Sequence, residues 1–123
     1  LREVVEILAA EVHYTSSRQL DTEIQTARAS DLMSDILFDD TVPDILLTRL
    51  CNAQVVRTAS VFGIKAVVMV RSHDINMKIA DLAKEENIVL ISTQGTLFAS
   101  CGKLYARGVR GVLEIPKMKM EDF

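Results

Sequence analysis

The sequence predicts a three-layer α/β domain built on a mostly parallel sheet with alternating βα units. Three observations carry that prediction. The runs Ala66–Val70 and Ile88–Ile91 are apolar without alternation, the pattern of strands covered on both faces. Between them Ile75, Ile79 and Leu82 recur at helical spacing, while Lys78, Asp81, Lys84 and Glu85 take the other sides. The strand centres Leu46, Val67 and Val89 are nearly evenly spaced, with room for one helix in each interval. Two parallel strands need a crossover of that length, so the stretch from Lys65 to Thr93 reads as one right-handed βαβ unit.

Taken in order, Leu1–Ala10 places Val4, Ile7 and Leu8 on one side and Arg2, Glu3 and Glu6 on another, a short amphipathic helix. Glu11–Tyr14 alternates as a brief strand with His13 on its surface, Thr15–Arg18 is a polar turn, and Gln19–Ala29 reads as extended, with Ile24 inward. Ser30 or Asp31 is placed to cap a second helix through Phe38, and the chain before Pro43 is pushed out of helix. Ile45–Leu47 opens the βα series. Asn52 caps a helix carrying Val55, Ala59 and Phe62, and Gly63 ends it. Ser72 or Asp74 caps the central helix and Asn87 stops it. Thr93 or Thr96 starts the last helix, which carries Leu97, Cys101 and Leu104 and closes at Gly108. Val112–Ile115 is a candidate edge strand ended by Pro116. The expected organisation is a single domain over residues 1–115 and a C-terminal tail over 116–123.

Composition narrows the class. At 123 residues the chain suits one domain, and 49% hydrophobic with 25% charged residues excludes a disordered chain. No apolar run approaches the roughly 18 residues of a membrane span. The net charge of −3, dispersed basic residues and few aromatics argue against a nucleic-acid binder. Cys51 and Cys101 show neither redox-pair nor metal-ligand spacing, and read as buried or half-buried free thiols of a reducing, cytoplasmic compartment, with a structural disulfide as the alternative. The first residue is Leu1 rather than methionine, so the chain has been processed, trimmed or excised.

No nucleophile, metal-ligand or phosphate-loop signature is present. His13 and His73 are isolated, and the pairs Asp31/Asp35 and Asp39/Asp40 read as solvated helix ends. The informative polar residues are those that follow each strand: Thr48 and Arg49, then Arg71 and Ser72, then Ser92 and Thr93. In a parallel sheet all of them emerge at the carboxyl edge, where open α/β sheets bind their ligands. Arg49 and Arg71 there would offer two planar cationic forks to a phosphate or carboxylate. The competing expectation is that these arginines pair with Asp31, Asp44 or Asp74 as ordinary ion pairs.

The runs ASDLMSDIL at 29–37, ILLTRLCNAQVVRTASVFGIKAVVMVR at 45–71, and IVLIST with ASCGKLYARG between 88 and 108 resemble the DRTGG domain family, most of all its stand-alone members. The resemblance spans Leu1 to Gly108. Where many members have Thr-Gly-Gly after the strand, this chain has Thr48-Arg49-Leu50, and only Thr48 carries over. The resemblance implies a three-layer fold similar to the N-terminal domains of HPr kinase/phosphorylase and of Mur ligases. It also implies a regulatory or dimer-forming role, since such domains accompany CBS pairs in nucleotide-regulated pyrophosphatases. The leading expectation is a non-catalytic regulatory or ligand-sensing module, a homodimer, that binds a nucleotide or another phosphorylated or anionic metabolite. A pure dimerisation or docking domain is the alternative, and an enzyme acting on a phosphorylated metabolite is the third reading. No cofactor, metal, nucleic acid or membrane partner is expected.

Overall fold

The structure, a computed structural model, describes residues 1–31, 41–71 and 75–112. Residues 32–38 of the helix expected to follow a cap at Ser30 or Asp31, the residues Ser72, His73 and Asp74, and the tail from 113 lie outside the described residues.

Ala66–Val70 forms the strand β4, and every one of its side chains is at most 1% exposed. Burial on both faces is what an apolar run without alternation requires, and neighbours on each side supply it. In chain order the elements are α1 (Arg2–Ile7), β1 (Glu11–Tyr14), β2 (Thr26–Ala29), β3 (Ile45–Thr48) and α2 (Ala53–Phe62). After β4 come α3 (Met77–Glu86), β5 (Val89–Thr93), α4 (Leu97–Ala106) and β6 (Arg110–Gly111). One six-stranded sheet runs β1-β5-β4-β3-β2-β6. All neighbours are parallel except the edge strand β1, which is antiparallel to β5. Leu46 lies opposite Val67, and Ala66 lies opposite Val89, so the three strand centres named from the sequence sit on adjacent parallel strands.

The two faces of the sheet carry separate cores. On one, Ile45, Leu47, Ala66, Val68, Val70, Val89 and Ile91 pack with Val4, Leu8, Leu104 and Val109, under α1 and α4. On the other, Leu46, Val67, Met69 and Leu90 pack with Val55, Val56 and Ala59 of α2 and Ile79 and Ala83 of α3. Phe62 and Leu82 lie at the margin of this second core, half-buried.

Helix ends follow local chemistry. The Asn52 side chain accepts from the Val55 N–H at 3.1 Å, and Gly63 ends α2 with φ +77°. The cap of α3 is Asn76, accepting from the Ile79 N–H at 3.0 Å, rather than Ser72 or Asp74. That placement leaves Ile75 outside the helix, where it still packs on the second core. Thr96, not Thr93, caps α4 and accepts from the Ala99 N–H at 3.1 Å.

Three boundaries differ from expectation. The first helix stops at Ile7, because Ala9 takes φ +48° and turns the chain into β1. Residues 19–21 form a 3-10 turn instead of extended chain. There Ser16 and Gln19 bond each other's N–H groups reciprocally, the capping-box arrangement. The last strand pairs at Arg110–Gly111, before Val112, which is itself buried.

The amino ends of three strands are tied together by one carboxylate. Asp44 Oδ2 accepts from the Gln25 and Thr26 N–H groups at 2.8 and 3.1 Å, and Oδ1 meets Lys65 Nζ at 3.1 Å. Burial pushes this carboxyl up. The two N–H bonds and the Lys65 ammonium outweigh that effect and hold it below its ordinary value.

A simple contrast checks the layering. Val67→Ala is expected to cost about 1–3 kcal/mol in urea denaturation, from lost burial and the residual cavity. Val61→Ala, at a side chain 77% exposed on α2, is expected to stay within about 0.5 kcal/mol of the parent. Equal costs would contradict the two-sided burial of β4.

Candidate functional site

The order of the strands determines where the sheet opens. The helix after β4 lies on one face and the helix after β5 on the other, as the partition of their buried residues between the two cores shows. Two chain directions therefore diverge at the carboxyl ends of β4 and β5, and such a switch point leaves a crevice. A crevice of about 820 Å³ runs beside that switch point, lined from the carboxyl ends of β2, β3 and β4 and from the start of α4. Arg71 from the end of β4, Arg49 from the end of β3 and Asp31 from beyond β2 supply its charged groups. Thr96, Leu97, Phe98 and Cys101 from α4, with Ala29, supply the rest.

Each predicted residue except Ser72, which lies outside the described residues, has a definite position. Thr48 is fully buried; its hydroxyl donates to Asp31 Oδ1 at 3.0 Å and accepts from the Leu50 N–H at 3.1 Å. Arg49 is exposed, and its backbone N–H donates to the same Asp31 oxygen at 2.7 Å. Ser92 is buried with its hydroxyl 2.7 Å from His13 Nε2, which makes His13 a half-buried partner of the sheet rather than a surface residue. The Thr93 hydroxyl donates to the Leu8 carbonyl at 2.8 Å and accepts from the Gly95 N–H at 3.3 Å. Three hydroxyls named from the sequence thus have partners within the fold, and none of the three lines the crevice. Arg49 and Arg71 are brought together in its wall.

Neither guanidinium has an ion-pair partner among the described residues. Asp44, one of the expected rivals, is held by Lys65 and two N–H groups at the opposite edge of the sheet. Asp31, the second, accepts the backbone N–H of Arg49 rather than its side chain. Asp74 lies outside the described residues. Among the described residues of the crevice wall, two guanidiniums stand with one carboxylate, a set suited to an anion.

Arg71 holds an uncommon backbone conformation. Its φ is +51°, left-handed for a residue with a Cβ, and its N–H donates to the Gly95 carbonyl at 3.2 Å in the loop before α4. The bend couples the end of β4 to the loop that carries Thr96 and Phe98. Sequence reasoning missed the α4 side of the crevice. Phe98 is 90% exposed, an unusual position for a large aromatic ring, and the helical pattern offered no sign of it. Cys101 lines the wall as a thiol, because burial pushes its pKa up and disfavours the thiolate. Neither cysteine forms a disulfide.

Other openings are chemically quieter. A cleft of about 650 Å³ beside α1 is lined by Arg2 and Asp21, which pair with each other at 2.9 Å. Among the described residues no group of three His, Cys, Asp or Glu side chains is placed to hold a metal ion. No helix among them is long and apolar enough to cross a membrane.

The fold and crevice define a three-layer α/β domain with an arginine-lined opening beside the switch point of its sheet. No family model matches the chain, and none of the curated proteins matches it. Among solved structures it is similar to the CBS and DRTGG domains of the regulatory region of Clostridium perfringens pyrophosphatase, a structure complexed with its activator, diadenosine tetraphosphate. The TM-score is 0.68 at 15% sequence identity, covering 98% of this chain and 51% of that one. The chain therefore spans about half the length of that regulatory region, and what the two share is the fold.

The left-handed Arg71 makes a direct prediction. A side chain at positive φ costs roughly 1–2 kcal/mol, which glycine escapes in exchange for greater freedom in the unfolded chain. Arg71→Gly is expected to hold stability constant or raise it by up to about 1 kcal/mol, whereas Arg71→Val lowers it by about 1–2 kcal/mol, by urea denaturation. The reverse order would show that the bend is not left-handed.

Proposed function

We propose that the chain is a non-catalytic regulatory or ligand-sensing module that binds a nucleotide or another phosphorylated metabolite at the carboxyl edge of its sheet. One observation carries the reading: Arg49 and Arg71, from adjacent strand ends, line one crevice without an ion-pair partner among the described residues. Charged side chains arranged this way give bidentate donors to phosphate oxygens. The fold likeness to a regulatory region crystallised with a nucleotide activator supports the same reading. In this scheme the ligand biases how the module sits against a partner, and no bond is made or broken.

A second reading rests on exposed apolar side chains. Met77 and Val61 project from α3 and α2, on the side of the sheet away from α4 and the crevice, and exposed apolar side chains of this kind suit a two-fold homodimer or a docking partner. A homodimer formed through that side would leave the ligand site open. The two readings separate in one set of measurements. Thermal-shift titration with ATP and with inorganic tripolyphosphate is expected to raise the melting temperature saturably, since a ligand of the native state must stabilise it. Arg49→Lys and Arg71→Lys are each expected to weaken that response about tenfold with the parent stability retained. A melting temperature that ignores both anions, with a dimer mass by light scattering, would leave a docking domain alone.

A further inference from the structure

The crevice is lined by two chemically different sets of side chains, and the apolar set is unexplained by phosphate binding. Phe98 stands in the first turn of α4, whose start is pinned by the Thr96 cap. Its ring is 90% exposed although it lines the crevice beside Leu97 and Cys101. A phenylalanine left in water forgoes the burial that normally places it in a core. Its position is not forced by the helix pattern, because α4 meets the sheet through Ser100 and Leu104. Among the described residues the one cation–aromatic contact is made by Tyr105, on which Arg110 stacks at 4.0 Å, so no described cation covers the Phe98 ring. Gly102, one turn further along α4, leaves open space where a side chain would stand. Asp31 lines the same crevice; its Oδ1 takes both described bonds and its Oδ2 has none among the described residues.

We infer that Phe98 is a stacking platform for a planar base, and that the ligand of this crevice is a nucleoside polyphosphate. The inference rests on the anion-binding reading of Arg49 and Arg71 and adds to it. The three groups match the three parts of such a ligand. An exposed aromatic face stacks a base, a carboxylate oxygen accepts from ribose hydroxyls, and the guanidinium pair holds phosphates. A phosphorylated sugar or inorganic polyphosphate would use the arginines and leave the ring in water. A docking protein would cover the ring but would have no use for two arginines lining the same opening.

The test is calorimetry on the full chain, without magnesium, using ATP and inorganic tripolyphosphate as probes. ATP is expected to bind about tenfold more tightly than tripolyphosphate. Phe98→Ala is expected to abolish that difference by weakening ATP alone, Phe98→Trp to preserve it, and Arg71→Gln to weaken both probes. Equal affinity for the two probes in the parent, or an equal loss of both in Phe98→Ala, overturns the stacking role while the arginine site stands. Binding of neither probe overturns both. A Phe98→Ala variant that changes oligomer mass in light scattering with ATP affinity unaltered overturns it too, and makes the ring a protein contact.

Discussion

Five consecutive side chains of β4 must be kept from water on both sides at once, and most of the architecture answers that demand. A strand of this kind needs a strand on each side and a helix layer above and below. The chain meets the lateral need by placing β3 and β5 on either side of β4 in parallel register. It covers one face with α2 and α3 and the other with α1 and α4. The change of face between α3 and α4 follows from where the chain must go next. After β5 it has to return across the sheet to place β6 beyond β2, and α4 is that return. The crevice beside the ends of β4 and β5 is thus a consequence of burying β4, and the polar residues around it inherit its geometry.

The two edges of the sheet then differ in how their charges are settled. At the amino edge Asp44 satisfies two N–H groups and one ammonium, and the charges there are balanced. At the carboxyl edge Asp31 holds the Thr48 hydroxyl and the Arg49 N–H, which fixes the loop and leaves the Arg49 guanidinium without an ion-pair partner among the described residues. Thr93 anchors the chain that leaves α1, and Ser92 anchors the antiparallel edge strand through His13. The polar groups nearest the core are occupied in holding the fold. The charges left over are those at the rim, and the left-handed turn at Arg71 joins that rim to the loop that starts α4.

Strands and helix faces were legible because unbroken apolar runs and helical spacing report burial directly, as in Ala66–Val70 and Val55–Ala59. Caps were less so. Several polar residues crowd before α3, and any of them can cap, so Asn76 could not be separated from its neighbours by spacing. The reciprocal Ser16–Gln19 pair has a readable signature, a serine three residues before a glutamine, within a stretch whose polar composition otherwise reads as turn and extended chain. The register of strand ends brought Arg49 and Arg71 into view. What it could not show was which hydroxyls the fold would occupy, since Thr93 bonds a residue 85 positions away and Ser92 one 79 away. Phe98 escaped notice for a related reason: the exposure of a helical ring depends on how its helix sits on the sheet.

We propose that the Arg49 and Arg71 guanidiniums hold the anion at this edge, since neither has an ion-pair partner among the described residues. The most direct measurement follows the arginine Nε–Hε resonances by NMR during titration with tripolyphosphate. Arg2, paired with Asp21, and Arg110, stacked on Tyr105, serve as internal references. The account predicts saturable shifts at Arg49 and Arg71 with a common dissociation constant, and still resonances at Arg2 and Arg110. Shifts of equal size at all four, growing linearly with anion concentration, would show nonspecific screening and contradict it.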